Sequence, residues 1–308
     1  MKVNLQEAIS LLKAGGVVAL PTETVYGLAA SLHADAAIDQ IFHLKNRPQD
    51  NPLIVHIACF EQLKEITSCP FSDVQILAEA FWPGPLTLVL PAIIDNVPLK
   101  VRAGLLTVGV RMPAHPLTLE VIRQVGPIVA PSANLSGRPS STSSSHIAED
   151  FGPMQPVLEG GKCKKGIEST ILIQTEEGWQ LGRLGAIPIE AIEETLGYVL
   201  KQRKDKKILC PGQHYRHYSP KARLIFGKGA YEGDPPVVLG FLDLPYPGAK
   251  KIYALGNKED VSTIQANLYR TLRELDRDGV TMAWVDANFD QDGPLRTVFE
   301  RLSKAASG

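Results

Sequence analysis

The sequence predicts a mixed α/β (α+β) protein built from two units, and three observations predict it. Over residues 1–198, segments with apolar residues at helical spacing alternate with short apolar runs typical of buried strands. The alternation has no strict strand–helix–strand rhythm, which favours a mixed sheet. Composition then changes over residues 199–222, and the alternation restarts over 223–308, where a small second α/β domain is expected.

The N-terminal unit begins with a helix whose apolar spacing starts at Leu5 and which Gly15 and Gly16 end. A short buried strand follows over 17–20. Asp35 is expected to cap a second helix that ends before Pro48. Further elements are predicted as strands at 53–57, 86–90, 107–111 and 128–130, helices at 72–81 and 116–125, and a hairpin of 167–175 with 179–184.

The segment 199–222 has the composition of a linker, with eight basic residues against one acid between positions 200 and 223, and with Pro211 and Pro220. After it, strands are predicted at 224–226, 237–241, 252–255 and 282–285, with helices at 261–275 and 295–302. Glycines at 227, 229 and 233 loosely resemble a dinucleotide-binding turn. However, Pro235 and Pro236 stand where its helix would begin, so a nucleotide site there is disfavoured.

Composition narrows the functional classes. The 308 residues include 44% hydrophobic and 21% charged residues, which is typical of a globular protein, and the formal net charge of -1 argues against a protein that mainly coats nucleic acid. Four cysteines without a C-x-x-C spacing give no support to a zinc ribbon or a disulfide framework. No apolar run is long enough to span a bilayer, so we expect a cytoplasmic protein without a membrane partner.

Polar side chains follow the first buried strand, where mixed sheets often bind ligands. Thr22, Glu23 and Thr24 come directly after Pro21 and form one such cluster. The alternative is an ordinary helix cap in front of a helix over 25–30.

Several cations could meet an anionic ligand. Lys45 and Arg47 could neutralise a polyphosphate, although a basic helix C-terminus is a common alternative. Alternation places Thr107 and Arg111 on one face of a strand, and an arginine there needs an anionic partner from substrate or protein. His56 lies in an apolar run, where a lone histidine is more often a core residue than a ligand.

Small hydroxyl and amide residues follow the strand at 128–130, and such a segment can offer backbone N–H groups to phosphate. The alternative for the serine run over 140–145 is a flexible loop that ends in a helix cap at Ser145. Folding the hairpin about Glu177 brings Arg183 opposite residues 170–171, so Ser169 and Arg183 should be close together.

Together these clusters predict a cleft with cations and neutral donors but without a nucleophile–base pair. Such a cleft fits electrostatic stabilisation of a phosphoryl or adenylyl transfer. No P-loop is present. Metal binding by Cys210, His214 and His217 is disfavoured because a fourth ligand is missing.

At these residues the chain resembles the YrdC-type threonylcarbamoyl-AMP synthases, in their longer two-domain subfamily. Nine blocks carry the resemblance: PTETVYGLA at 21–29, KNRP at 45–48, NPLIVHI at 51–57, WPGPLTLVL at 82–90, TVGVRMP at 107–113, APSANLSG at 130–137, GIESTI at 166–171, Arg183, and PGQHYRHYSP at 211–220. The resemblance implies a twisted mixed sheet with flanking helices over 1–198, a linker that serves as a lid over 199–222, and a small Rossmann-like domain over 223–308.

The resemblance also implies an activity: L-threonine, bicarbonate and ATP, with Mg²⁺, give L-threonylcarbamoyl-AMP and pyrophosphate, the first step of a tRNA modification completed by a downstream transferase machinery. The implied L-threonine-binding residues are Thr24, His56, Arg111, Ala130 and Ser169. The implied ATP-binding residues are Lys45, Arg47, Asn51, Thr107, Ser132, Asn134, Ser140, Arg183 and Tyr218. Lys45 and Arg47 would stabilise charge during catalysis, and no protein ligand of the metal is implied.

Two alternatives come from other functional classes. A carbamoyltransferase that forms carbamoyl-adenylate uses a similar domain, but its cysteine-rich zinc motifs are not visible in this sequence. A non-catalytic RNA-binding module is disfavoured by the net charge and by the lack of an aromatic stacking pattern, although a weak RNA contact stays open.

Overall fold

The computed structural model describes residues 1–201, 210, 217–227, 237–289 and 292–307. Within these ranges the chain forms two sheets flanked by helices, so the predicted mixed α/β class is confirmed. The strands are β1 (Lys2–Val3), β2 (Val18–Leu20), β3 (Gly27–Ser31), β4 (Ile54–His56), β5 (Leu86–Pro91), β6 (Thr107–Arg111), β7 (Ile128–Val129), β8 (Val157–Leu158), β9 (Thr170–Thr175), β10 (Gly178–Arg183), β11 (Arg223–Gly227), β12 (Val237–Gly240), β13 (Lys251–Ala254) and β14 (Met282–Asp286).

The helices lie against these sheets and bury their apolar faces on them. They are α1 (Leu5–Lys13), α2 (Asp35–Lys45), α3 (Phe60–Ile66), α4 (Phe71–Phe81), α5 (Leu99–Arg102), α6 (Pro116–Val125), α7 (Ser144–Phe151), α8 (Ile189–Leu196), α9 (Val261–Arg277) and α10 (Arg296–Ala306). The first helix begins at a capping box, in which Asn4 accepts from the backbone of Glu7 and the Glu7 side chain accepts from the backbone of Asn4.

The large sheet has ten strands in the order β1-β8-β2-β3-β7-β4-β6-β5-β9-β10 and mixes parallel with antiparallel pairs. Near its centre, the neighbouring strands β4 and β6 are parallel, and their register places His56 directly beside Arg111. Since the carboxyl ends of parallel strands leave polar groups at one edge, this register brings two of the predicted site residues together.

The small sheet has four parallel strands in the order β11-β14-β12-β13, with α9 and α10 packed on it. Helix α9 also inserts Arg273, which is 1% exposed, into the first unit. There the guanidinium of Arg273 donates to the carboxylate of Asp150 at 2.7 Å and to the carbonyl of Pro139 at 2.6 Å. The two units are therefore joined by buried, charge-assisted hydrogen bonds.

Most predicted elements are confirmed, whereas one expected helix cap and two of the alternatives left open are wrong. The chain after Pro21 does not start a helix at residue 25, because Gly27–Ser31 pairs antiparallel with β2 as strand β3. Asp35 is the first residue of α2 rather than its cap, a position that Ala34 takes. Ser143, not Ser145, is the cap residue of α7.

The predicted linker at 199–222 contains residues 202–209 and 211–216, which lie outside the described residues. The glycine turn at 227–233 lies outside them too, apart from Gly227, and so do Pro235, Pro236 and His214.

Candidate active site

A cleft lies where the carboxyl ends of β4 and β6 meet the loops that follow β2 and β7. The segment that leads into β9 and the residues before β11 close its sides. All but one of the predicted site residues line this cleft: Thr24, Lys45, Arg47, Asn51, His56, Arg111, Ala130, Ser132, Asn134, Ser140, Ser169, Arg183 and Tyr218.

Thr107 is the predicted residue that does not line the cleft. It begins β6, whereas Arg111 ends that strand, and four residues of extended chain separate the two by about 13 Å. The hydroxyl of Thr107 is buried, without a hydrogen-bond partner among the described residues. Sequence alternation correctly placed Thr107 and Arg111 on one strand but could not show where the cleft ends.

Arg111 has the anionic partner that its place in a strand requires, and the protein supplies it. Its Nη2 donates to Oε1 of Glu23 at 2.6 Å, and its Nε donates to the carbonyl of Gly84 at 3.1 Å. Glu23 is held in turn by the backbone N–H of Ala114 at 3.0 Å. Both side chains of the pair are nearly buried, so the guanidinium has a fixed orientation at the cleft wall.

His56 is a neutral imidazole at the same wall. Burial, and then the positive charge of Arg111, lower the pKa of His56 to about 3. The ring nitrogen Nδ1 lies 3.2 Å from the carbonyl of Ile54, which favours the Nδ1–H tautomer. His56 is therefore both a buried residue and a cleft residue, which the two sequence interpretations treated as alternatives.

The two cations at the end of α2 are held by backbone carbonyls. Lys45 is 1% exposed and donates to the carbonyl of Ser132 at 2.5 Å and to that of Asn134. Burial, reinforced by Arg47, lowers the pKa of Lys45 well below its usual range. Arg47 donates to the carbonyls of Asn51 and Pro52 at 3.2 and 2.7 Å, so it shapes the loop before β4.

The loop after β7 presents oxygen atoms to the cleft. The amide nitrogen of Asn134 donates to the carbonyls of Leu135 and Arg138 at 2.8 and 2.9 Å, which fixes its orientation. Its Oδ1 is then left buried without a hydrogen-bond partner among the described residues, and Oδ1 of Asn51 is in the same condition. Such atoms are costly to bury unless a ligand satisfies them, so both point to a bound group.

The hairpin brings Arg183 to Ser169, as the sequence predicted. Arg183 pairs with Ile171 across β9 and β10. Its Nη2 donates to the carbonyl and to the hydroxyl of Ser169 at 2.9 and 3.2 Å. The hydroxyl of Ser169 also lies 2.7 Å from that of Thr87, so it is held from two sides.

Two models of known protein families match this chain. A Sua5/YciO/YrdC family model, described as "Telomere recombination", matches residues 10–185, and a model for the C-terminal domain of threonylcarbamoyl-AMP synthase matches residues 187–307. The chain belongs to the Sua5/YciO/YrdC family.

Similar proteins of known name match along nearly the whole chain. A threonylcarbamoyl-AMP synthase of Pyrococcus abyssi is 39% identical over 98% of this chain and 94% of its own length. One from Bacillus subtilis is 37% identical over 99% and 93%. The crystal structure of P. abyssi Sua5 complexed with L-threonine matches with a TM-score of 0.89 at 36% identity, covering 100% of this chain and 98% of that one.

One acidic residue, Glu168, lines the cleft among the described residues, and the sequence analysis gave it no role. It lies next to Ser169 and accepts a hydrogen bond from Ser140 at 2.6 Å. One sequence signal could have identified Glu168. It is an acidic residue between an apolar and a hydroxyl residue, just before the strand that starts at Thr170. Its other partners lie more than 100 residues away, in the second unit.

Tyr218 is the cleft residue that comes from the segment between the units. Its ring is 5% exposed and stacks on Tyr269 at 5.2 Å with an angle of 20° between the planes. Its backbone has a φ of 65°, an uncommon conformation for a residue with a large side chain. Such strained residues persist where the surroundings hold them, and they concentrate at functional sites.

Chemically, the Sua5/YciO/YrdC site of this chain can bind a carboxylate at Arg111 and a polyanion near Lys45, Arg47 and Arg183. Within the described ranges, no group of three or more His, Cys, Asp or Glu side chains could hold a metal ion. Across the same part of the chain, the helices are too short or too polar to span a membrane.

Proposed function

We propose that this chain synthesises L-threonylcarbamoyl-AMP from L-threonine, bicarbonate and ATP, with release of pyrophosphate and water. The observation that carries the proposal is that one cleft contains a fixed arginine that can bind a carboxylate, several cations, and buried oxygens without hydrogen-bond partners among the described residues. The full-length similarity to threonylcarbamoyl-AMP synthases supports it.

The threonine half would use Thr24, His56, Arg111, Ala130 and Ser169, all of which line the cleft. A guanidinium held by Glu23 would bind the carboxylate of threonine through its remaining N–H groups. The threonine amine can then attack the carbon of bicarbonate, and a C–O bond breaks with loss of water to leave a carbamate. The neutral His56 adds no charge beside this amine, since its pKa of about 3 keeps it unprotonated near pH 7.

The ATP half would use Lys45, Arg47, Asn51, Ser132, Asn134, Ser140, Arg183 and Tyr218, all of which line the cleft, whereas Thr107 does not. In the chemical step, a carbamate oxygen attacks the α-phosphorus, and the bond to the β-phosphate oxygen breaks. Lys45, Arg47 and Arg183 would offset the charge that develops on the departing pyrophosphate. Because a carbamate decomposes in water, the site has to exclude solvent during the reaction.

Mg²⁺ bound to ATP fits the oxygen atoms that the cleft offers. The amide oxygens of Asn51 and Asn134 are buried and unsatisfied, and neutral oxygens of this kind are suitable Mg²⁺ ligands when phosphates supply the charge. Glu168 is less suited, because its two oxygens already accept three hydrogen bonds. The ion would neutralise charge on the phosphates.

The decisive experiment is to measure pyrophosphate release from ATP with and without L-threonine and bicarbonate. Release that needs both substrates is the expected result, and mass spectrometry should then identify threonylcarbamoyl-AMP. Release with carbamoyl phosphate in their place would show instead the carbamoyltransferase reaction. Folded protein that releases pyrophosphate in neither mixture would refute synthesis.

The remaining parts of this proposal concern organisation and partners. We retain boundaries at 1–198, 199–222 and 223–308, which are compatible with a large sheet that ends at Arg183 and a small sheet that begins at Arg223. Delivery of the product to a tRNA-modifying transferase in the cytoplasm, a weak contact with RNA and the lid role of the linker stay predictions.

A further inference from the structure

The carboxylate of Glu168 joins the cleft to both helices of the small sheet. We propose that Tyr269 on α9 and Arg301 on α10 are positioning residues, which set the ATP half of the cleft through Glu168. This inference rests on the proposed synthase activity. It assigns to the second unit an indirect part in binding the nucleotide, through Glu168.

Both carboxylate oxygens of Glu168 accept hydrogen bonds. Its Oε1 accepts from the hydroxyl of Ser140 at 2.6 Å. Its Oε2 accepts from the hydroxyl of Tyr269 at 2.7 Å and from Nε of Arg301 at 3.2 Å. Tyr269 and Arg301 are each 0% exposed, so the second unit holds this carboxylate away from solvent.

The charge of Glu168 is maintained inside the protein. Burial would raise its pKa, but the positive charges of Arg301 and Arg183 hold the pKa of this carboxyl below its ordinary value. An ionised carboxylate has no proton to donate, so it can only accept hydrogen bonds. Arg301 is itself fixed by the carboxylate of Glu300 at 2.7 Å and the carbonyl of Leu184 at 2.5 Å.

This arrangement determines what Ser140 can do in the cleft. A serine hydroxyl has one proton, and Ser140 gives that proton to Glu168. Toward a ligand, Ser140 can therefore only accept a hydrogen bond. It would meet a ribose hydroxyl or an amino group of the nucleotide rather than a phosphate oxygen, which has no hydrogen to offer.

The same two residues also hold Tyr218, which lines the cleft. The ring of Tyr269 stacks on that of Tyr218 at 5.2 Å, and the guanidinium of Arg301 lies 5.0 Å from the centre of the Tyr218 ring. Tyr269 and Arg301 thus touch two cleft residues, Glu168 and Tyr218, from behind, while neither lines the cleft itself.

The test compares Tyr269→Phe with Tyr246→Phe in the full chain. Both changes remove a hydroxyl that donates to a carboxylate at 2.7 Å, but the partner of Tyr246 is Asp286, within the small sheet. Tyr269→Phe keeps the aromatic ring that stacks on Tyr218. We expect it to raise the KM for ATP roughly 5- to 10-fold and the KM for L-threonine less than about 2-fold. Tyr246→Phe should leave both constants unchanged.

A second variant tests the route through Ser140. If Tyr269 acts through Glu168 and Ser140, Tyr269→Phe should raise the KM for ATP less in a Ser140→Ala background than in the native one. The proposal would be overturned if Tyr269→Phe raised the KM for ATP by the same factor with and without Ser140→Ala. Equal rises in the KM for ATP and for L-threonine after Tyr269→Phe would overturn it too. A native chain without threonine-dependent pyrophosphate release would instead refute the proposed function.

Discussion

Arg111, which lines the cleft, donates to Glu23 at 2.6 Å and so joins the end of β6 to the loop after β2. Both side chains are nearly buried, at 5% and 10% exposure. A buried arginine with a protein carboxylate already in place has a defined position and a reduced net charge. It therefore suits the binding of a second carboxylate by geometry rather than by charge alone.

Replacing Arg111 with lysine should show whether the shape of the guanidinium or its charge binds the carboxylate of L-threonine. Lysine keeps the positive charge beside Glu23 but loses the planar fork, so we expect the KM for L-threonine to rise about 10- to 100-fold. The KM for ATP should change about 2-fold or less, because Arg111 bonds to Glu23 and Gly84 and not to the residues proposed to bind ATP. Steady-state pyrophosphate release measures both constants. Equal loss for the two substrates would contradict the assignment of Arg111 to threonine.

The buried pair of Arg273 and Asp150 should contribute strongly to stability. Arg273→Met leaves Asp150 with one cation fewer in a buried environment, and we expect a loss of about 3 kcal/mol in the free energy of unfolding. Arg270→Met, on the same helix, removes a partly exposed pair with Glu274 and should cost less than about 0.5 kcal/mol. Urea unfolding measures both, and similar losses would argue against a special role for the buried pair.

Acid should destabilise the fold through His146. Burial, and then the charges of Arg273 and Arg277, lower its pKa to about 3, and its Nδ1 accepts from the backbone of Thr142 at 3.2 Å. Between pH 6.5 and about 3, the unfolded chain binds a proton that the folded chain does not. The free energy of unfolding should therefore fall with pH in this window, by about 1.4 kcal/mol per pH unit for this histidine.

His146→Asn keeps an acceptor for Thr142 and removes the titration. We expect urea unfolding at pH 7, 6 and 5 to show a shallower pH dependence for this variant than for the native chain. Equal slopes would show that His146 does not carry the effect.

Gly166 should tolerate alanine far less well than Gly161. Both residues have a positive φ, 69° and 79°, so alanine costs about 1–2 kcal/mol at either position. At Gly166, however, a Cβ would lie 2.4 Å from the Cα of Ala266 in α9, whereas Gly161 has open space. We expect Gly166→Ala to displace α9 and raise the KM for ATP. Gly161→Ala should lower the free energy of unfolding but leave the KM for ATP unchanged. Equal kinetics for the two variants would show that this contact does not affect the site.

Local patterns predicted much of the fold and of the site. Strand alternation and turn position placed Arg183 beside Ser169, because the register of a two-stranded hairpin depends on residues close in sequence. The same held for helix α6 and strand β6, whose bounds the periodicity predicted to the residue. The blocks of the family resemblance added residues such as Asn51, whose role no local pattern indicates.

Local patterns failed where a distant partner decided the outcome. The residues after Pro21 can cap a helix, but pairing with β2 and β7 makes Gly27–Ser31 a strand. Arg111 was expected to need an anion, and the structure shows that Glu23, 88 positions away, is one. Glu168 carried no signal that its partners would be Tyr269 and Arg301.

By itself the sequence determined the mixed α/β class, the elements with strong periodicity and the family to which the chain is similar, because each depends on neighbouring residues or on ordered blocks. Only the tertiary structure decided which groups share the cleft and how they are held: Arg111 by Glu23, and Ser140 by Glu168 and the second unit. The physical reason is that buried charges and hydroxyls take their properties from partners that folding brings together across the chain.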